Sequence, residues 1–141
     1  MSNRKEKFIA ELSKSRDESD IRELRRGADK RGHTAEWLCR AWLRLKGYGV
    51  LEARFKTAVG EIDIIAKQGK TIVFIEVKAH KSVEASLRSV TPKQQRRILK
   101  AARWFTSAQP GYANNPMRFD VMVVNGMRIH HLKNAFGESH G

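Results

Sequence analysis

"GEIDIIAKQGKTIVFIEVKAH", residues 60 to 80, decides how this chain folds. Two runs rich in Ile, Val and Phe flank Lys67-Gln68-Gly69-Lys70, and β-branched and aromatic residues on either side of a glycine-containing turn specify an antiparallel hairpin. Its strands are expected at Glu61 to Ala66 and Thr71 to Ala79. A turn at Gln68-Gly69, or a four-residue turn over Lys67 to Lys70, sets Asp63 opposite Phe74 and Glu61 opposite Glu76. Side chains alternate along a strand, so one face carries Ile62, Ile64, Ala66, Val73, Ile75 and Val77 and is wholly apolar. The other carries Glu61, Asp63, Ile65, Ile72, Phe74, Glu76 and Lys78, apolar near the turn and charged at the far end.

Charges gathered at one end of a half-apolar face form either a solvated rim or a site. In this register Asp63 and Glu76 are diagonal neighbours about 7–8 Å apart at the backbone, close enough for their carboxylates to converge on one cation. Mg²⁺ takes oxygen ligands at about 2.0–2.1 Å and keeps several waters, so two acids and a backbone carbonyl are an adequate protein share. Lys78, on the same face, is placed to hold or help deprotonate an attacking water, or to stabilise charge developing on a phosphoryl group. The competing reading is an exposed hairpin face with a Glu76–Lys78 ion pair, which is common and contributes little. Two details favour the site: the face is half apolar, so something covers it, and the two acids repel each other without a cation. An odd-length turn would flip the parity and separate them.

Working outward, Leu38, Trp42 and Leu45 recur at helical steps, with Thr34 as the expected N-cap and Gly47 as the C-terminal glycine, which predicts a helix over about 35 to 46. Tyr48 to Phe55 reads as a mixed strand, Lys56 to Val59 as a turn and Lys81 to Val90 as a polar loop. Thr91-Pro92 is a cap followed by proline at the first helical position, opening a helix to about Ser107. Ile98, Ala101, Ala102 and Phe105 share one face of it, and Lys93, Arg96, Arg97, Lys100 and Arg103 lie elsewhere with no acid among them. Gln109 to Pro116 is a connection, and Phe119 to Val124 and Met127 to Leu132 are strands. The order is α-β-β-β-α-β-β, an α/β fold, and joining the Thr71 and Phe119 strands through a helix gives a mixed sheet flanked by helices. Trp37, Trp42 and Trp104 fall at helical positions compatible with core packing, and are read as packing residues and not as base-stacking platforms.

Length and composition suit one domain with a real core, since 141 residues are 40% hydrophobic. Residues 1 to 31 form a mixed-charge arm, helical or partly disordered; residues 32 to 137 form the domain, and 138 to 141 a tail. The formal charge is +13, and the arm, with ten Lys or Arg and seven Asp or Glu, supplies only +3 of it. The folded part therefore carries the excess, which favours a polyanionic partner, most simply nucleic acid. The basic helix either tracks a phosphate backbone or merely solvates an amphipathic surface. No run is long enough to span a membrane and no signal core is present, which predicts a cytoplasmic protein. Cys39 is alone, so neither a disulfide framework nor a CxxC zinc site is available. His130 and His131 point to opposite faces if they share a strand, and read as ordinary strand-end or surface residues. Gly69-Lys70-Thr71 resembles the end of a P-loop, but Ile64 stands where that motif needs its first glycine.

An acid on one strand followed by Glu-x-Lys on the next, in a basic α/β domain, resembles the PD-(D/E)XK nuclease superfamily with its restriction-endonuclease-like fold. More closely, Gly32-x-x-x-Glu36, Gly47-Tyr48, Gly60-Glu61-Ile62-Asp63, Phe74-Ile75-Glu76-Val77-Lys78, Arg118-Phe119-Asp120 and Asn134-Ala135-Phe136 resemble the YraN family of small bacterial proteins related to archaeal Holliday-junction resolvases. The resemblance implies Mg²⁺ or Mn²⁺ held by Asp63, Glu76 and, as in resolvase-like members, Glu36, with Lys78 assisting the attacking water. It also implies a supporting glutamine, for which Gln95 is the best match and Gln94 the alternative. Glu36 has a plainer reading as a surface pair with Arg40. Ile62 replaces the proline of the motif's name, Ala35 stands where many relatives have glycine, and the Lys81 to Val90 loop lacks its usual glycine. The expectation is a metal-dependent DNA endonuclease acting on branched or repair intermediates, with Lys93, Arg96, Arg97, Lys100 and Arg103 on the DNA and a homodimer as its symmetric form. The alternatives are a non-catalytic nucleic-acid-binding protein with the same fold and an RNA-directed version.

Overall fold

A computed structural model describes residues 18–79 and 82–137, with side chains from residue 32 onward. The expectations for the first 17 residues, for His80 and Lys81 and for the 138–141 tail lie outside the described residues. The chain divides into two compact units, residues 1–33 and 34–141. Helix α1 (Glu18–Leu45) supplies the described part of the first unit and the opening helix of the second. Thr34 is thus inside a helix and not its cap, since helical structure begins 16 residues earlier. The C-terminal expectation is met: Gly47 has φ +88, and Tyr48 N–H donates to Leu43 O at 2.9 Å while Gly47 N–H donates to Arg44 O at 3.1 Å. These are the two bonds of a Schellman end, which needs a left-handed residue there.

β1 (Gly49–Lys56), β2 (Glu61–Gln68) and β3 (Thr71–Ala79) follow, then a short helix α2 (Val83–Ser89), α3 (Pro92–Ala108), a single 3₁₀ turn (Pro110–Tyr112), β4 (Met117–Asn125) and β5 (Arg128–Phe136). The strands form one sheet in sequence order, with β3 and β4 parallel and the other neighbours antiparallel. This is the mixed, helix-flanked sheet of the restriction-endonuclease-like class. The loop expected at Lys81 to Val90 contains α2: the Ser82 hydroxyl accepts from Ala85 N–H at 3.1 Å, and a polar seven-residue segment needs little beyond such a cap to close two turns. Thr91 caps α3 as expected, accepting from Gln94 N–H at 3.2 Å ahead of Pro92.

The hairpin differs from expectation by two residues. Gln68 pairs with Thr71 and Ile65 with Phe74, so the turn is Gly69-Lys70 and not Gln68-Gly69. Gly69 has φ +59, the conformation a type II′ hairpin turn demands at its first central position. A two-residue shift preserves parity, so Ile64, Ala66, Val73 and Ile75 still share a face, which packs with Ala35, Cys39 and Leu43 of α1. The opposite face, with Ile65, Ile72 and Phe74, packs under Ile98, Ala101, Ala102 and Phe105 of α3. Phe74 stacks on Phe119 and meets Phe105 edge-on, at centroid distances of 5.4 and 6.2 Å. Each fully buried Leu, Ile or Phe contributes about 1.5–3 kcal/mol, so these two faces hold the sheet between its helices.

Ile62 is the exception. It joins the α3-side cluster and not the face of Ile64. Two irregularities lie beside it: Arg54 on β1 has φ +56, and the β2–β3 pairing stops at Ile64↔Ile75. The tryptophans divide as well. Trp42 packs against the α1-side core, but Trp37 and Trp104 are 59% and 63% exposed, so core packing does not account for them.

Candidate active site

The site lies where the β2–β3 ladder opens. Continuing the register would set Asp63 across from Glu76 and Val77 across from Ile62, yet Val77 N–H donates instead to Asp63 Oδ2 at 2.8 Å. A carboxylate has taken the place of a strand carbonyl, which both satisfies the amide and fixes the acid. Glu76 sits beside it, buried on the α3 side of β3. Lys78 Nζ is 3.6 Å from Glu76 Oε1, and the Gln94 amide donates to the same oxygen at 3.0 Å from the first turn of α3. Four of the expected site positions thus meet, with Gln94 in the supporting place. Gln95 does not reach the acids: its amide donates to Val90 O at 2.9 Å and ties α3 to the end of α2, because one residue along a helix turns the side chain by about 100°.

The electrostatics follow from burial. Glu76 is pushed up to about 8, first by desolvation and then by the Asp63 charge, while Lys78 and Gln94 pull the other way. Asp63 is also raised, chiefly by burial, against the Val77 N–H bond that favours its ionised form; the Glu36 charge adds to the rise. Cys39, buried on the α1 side of the sheet, is raised to about 12 by burial and by the charges of Asp63 and Glu36, so the fields of those two acids overlap there. A buried and a half-buried carboxylate that resist ionising together, with one lysine beside them, form an oxygen donor set that suits a small hard cation.

Glu36 is positioned but engaged. Its Oε2 accepts from Arg54 Nε at 2.9 Å, and Arg40, the partner expected four residues on, is not the one holding it. Arg54 has a left-handed backbone, φ +56, within β1. Among the described residues no three His, Cys, Asp or Glu side chains gather as a ready-made metal cluster. Asp63 and Glu76 are the two acids placed close enough to share one cation. Glu61 is exposed and stands outside it. Lys93, Arg96, Arg97, Lys100 and Arg103 lie along α3, the helix that delivers Gln94, and none of them is buried.

A second polar centre escaped the sequence reading. Asp120 is fully buried on β4 and accepts four bonds: Arg118 Nε and Nη2 at 2.9 Å each, Asn134 N–H at 2.9 Å and His131 Nε2 at 2.7 Å. Arg118 also donates to Tyr48 Oη and to Gln68 Oε1, each at 2.9 Å. His131 is not a surface residue: its side chain is nearly inaccessible and wedged against Trp42 and Tyr48. Burial opposes ionisation of Asp120, but His131, Arg118 and the Asn134 amide outweigh it and lower its pKa. The sequence signals were its place in the Arg118-Phe119-Asp120 string and the apolar run around it, and neither named its partners. A buried, fully bonded carboxylate there braces β4 against β5 and the end of α1.

Residues 35–124 match the pattern of a family described as "Uncharacterised protein family UPF0102". The UPF0102 protein mlr4633 of Mesorhizobium japonicum is 43% identical over 113 residues, 79% of this chain and 90% of its own length. A UPF0102 protein of Acidiphilium cryptum is 38% identical over 122 residues, covering 86% and 95% of the two chains. One from Rhodopseudomonas palustris strain BisB5 is 44% identical over 109 residues, covering 77% and 83%.

Proposed function

The chain belongs to the UPF0102 (YraN) family, and we propose that it is a divalent-metal-dependent DNA endonuclease acting on branched or processing intermediates. The observation that carries the reading is the convergence of Asp63, Glu76, Lys78 and Gln94 where the β2–β3 pairing ends. Asp63 and Glu76 would hold Mg²⁺ or Mn²⁺. When bound, such an ion polarises a phosphoryl oxygen and acidifies water. Lys78 places a positive charge beside the pair, where it orients the attacking water and stabilises charge on the phosphorus oxygens. Gln94 fixes one Glu76 oxygen and leaves the other for the cation. Water attacks phosphorus in line, the P–O3′ bond breaks, the 3′ oxygen takes up a proton, and the product carries a 5′ phosphate. Cations along α3 supply the sequence-independent grip on the backbone. A protein with two-fold symmetry would suit a symmetric junction.

The test is cleavage of labelled junction, flap and single-stranded DNA with Mg²⁺ or Mn²⁺ by the wild type, Asp63→Ala and Glu76→Ala. The reading requires cutting that both variants lose. Equal cutting by all three proteins would place the activity elsewhere.

A further inference from the structure

The groove beside the acids does not end at them. Thr57 pins the β1–β2 connection: its hydroxyl accepts from Gly60 N–H at 3.0 Å and Val59 N–H at 3.2 Å, and its own N–H donates to Gly60 O at 2.9 Å. The pinned loop lies against α3 so closely that a Cβ on Gly60 would sit 2.6 Å from Arg97 O. A hollow of about 350 Å³ runs along this contact, lined by Val59, Gly60, Glu61, Gln94 and Arg97. Val59 also lines a second, wider hollow of about 560 Å³, floored by Trp104 and Ala108 and flanked by Lys100 and Arg103. Gln94, Arg97 and Trp104 fall on one helical stripe, and ten residues of α-helix span about 15 Å. The two hollows share Val59, and Gln94, which lines the first, donates to Glu76, so the acids and the exposed indole with its neighbouring cations lie along one side of α3.

We infer that Trp104 is a stacking platform for an unpaired nucleobase of the substrate strand, whose backbone runs along Lys100 and Arg97 toward the acids. This deepens the nuclease reading and rests on it for the direction of the strand, but not for the binding itself. The exposed indole shares its hollow with Val59 and Ala108 and offers a flat apolar face of the kind on which bases stack. Every base has such a face, and the neighbouring cations match its phosphates. A duplex hides its bases, so the platform selects DNA with a single-stranded stretch. Glu61, the acid lining the first hollow, keeps that end from being a uniform phosphate binder.

The experiment is equilibrium binding of full-length protein, in EDTA, to a fluorescent oligothymidine of about 10 nucleotides, within the usual site size for such grooves. An abasic oligomer of equal length serves as the partner probe. The wild type is expected to prefer the base-bearing strand by about 5- to 150-fold, the range of one stacked base. Trp104→Ala should abolish that preference, Trp104→Phe should keep most of it, and Lys100→Ala should weaken both probes alike. A Trp104→Ala protein that retains the preference, or that loses affinity equally for both strands, overturns the inference. Because no metal is present, loss of cleavage in the separate junction assay would refute the nuclease reading alone.

Discussion

Replacing Glu76 with glutamine should stabilise the metal-free protein, and should do so only at high pH. Folding raises the Glu76 pKa from the ordinary 4.5 to about 8 through desolvation and the neighbouring Asp63 charge. A carboxylate with a raised folded pKa takes up a proton as the chain folds. Its favourable contribution is fully present below about 4.5 and is lost as the pH rises through about 8. Each pKa unit corresponds to about 1.4 kcal/mol. Lys78 and Gln94 are already reflected in that value, and the shared titration with Asp63 brings the expected cost of ionisation to roughly 2–4 kcal/mol above pH 8. The substituted amide would retain an acceptor for the Gln94 side chain and carry no charge to desolvate. Thermal melts in EDTA at pH 5 and pH 9 are the assay. At pH 9 Glu76→Gln should melt about 10 °C above the wild type, at a few degrees per kcal/mol for a domain of this size, and at pH 5 the two should nearly coincide. Mg²⁺ should stabilise the wild type at pH 9 and leave the variant unmoved, because a ligand stabilises only a state that binds it. A variant less stable than the wild type at pH 9, or parallel pH profiles, would show that the two acids are not buried against each other.

Three further outcomes follow from the same geometry. Asp120→Ala removes the acceptor that buried His131 and half-buried Arg118 share and should cost about 3–5 kcal/mol in urea unfolding; Asp120→Asn should flatten the acid limb, because a lowered carboxylate contributes stability above 3.8 that is lost as pH falls through its folded value. Gly60→Ala forces a methyl against the Arg97 carbonyl and should cost about 1–3 kcal/mol in the same assay, with no loss if the loop can swing off α3. Replacing Lys93 and Arg96 together with alanine should lower the slope of log affinity against log salt by about 1.8 for duplex DNA if both contact phosphates, and by nothing if they only solvate α3.

Much of the fold was legible because it rests on local chemistry. Thr91-Pro92, Gly47 and the Ile, Val and Phe runs each specify one local structure, and the structure carries them as read. Parity survived the two-residue register error because a shift by two returns every side chain to its own face. What failed was set by tertiary context. Thr34 has the chemistry of a cap, but helical structure on its N-terminal side leaves it no end to cap. Gln94 and Gln95 are equivalent in propensity and differ only in which way the helix turns them once Gly60 has fixed its approach to the loop. His131 looks polar in the sequence, and only the pairing of β4 with β5 reveals that it faces Asp120. Trp104 sits one residue before Phe105, and a small rotation decides which of the two enters the core.

The same reasoning explains why the site could be located but not drawn. Register arithmetic assumes that both strands stay paired, and the acids occupy the place where pairing stops. The transfer of Ile62 to the α3 side and the Val77 N–H bond to Asp63 mark the place where β2 and β3 part, beside the left-handed backbone of Arg54. In a closed ladder Asp63 would stand directly across from Glu76 with both carboxylates fixed on one pleat, and like charges at that position destabilise a sheet. Opening the ladder lets Asp63 accept an amide that would otherwise be orphaned, which recovers a hydrogen bond while the two acids share one space. The charges that look misplaced in the hairpin are tolerated because the hairpin ends at them, and their residual repulsion is what a bound cation would relieve.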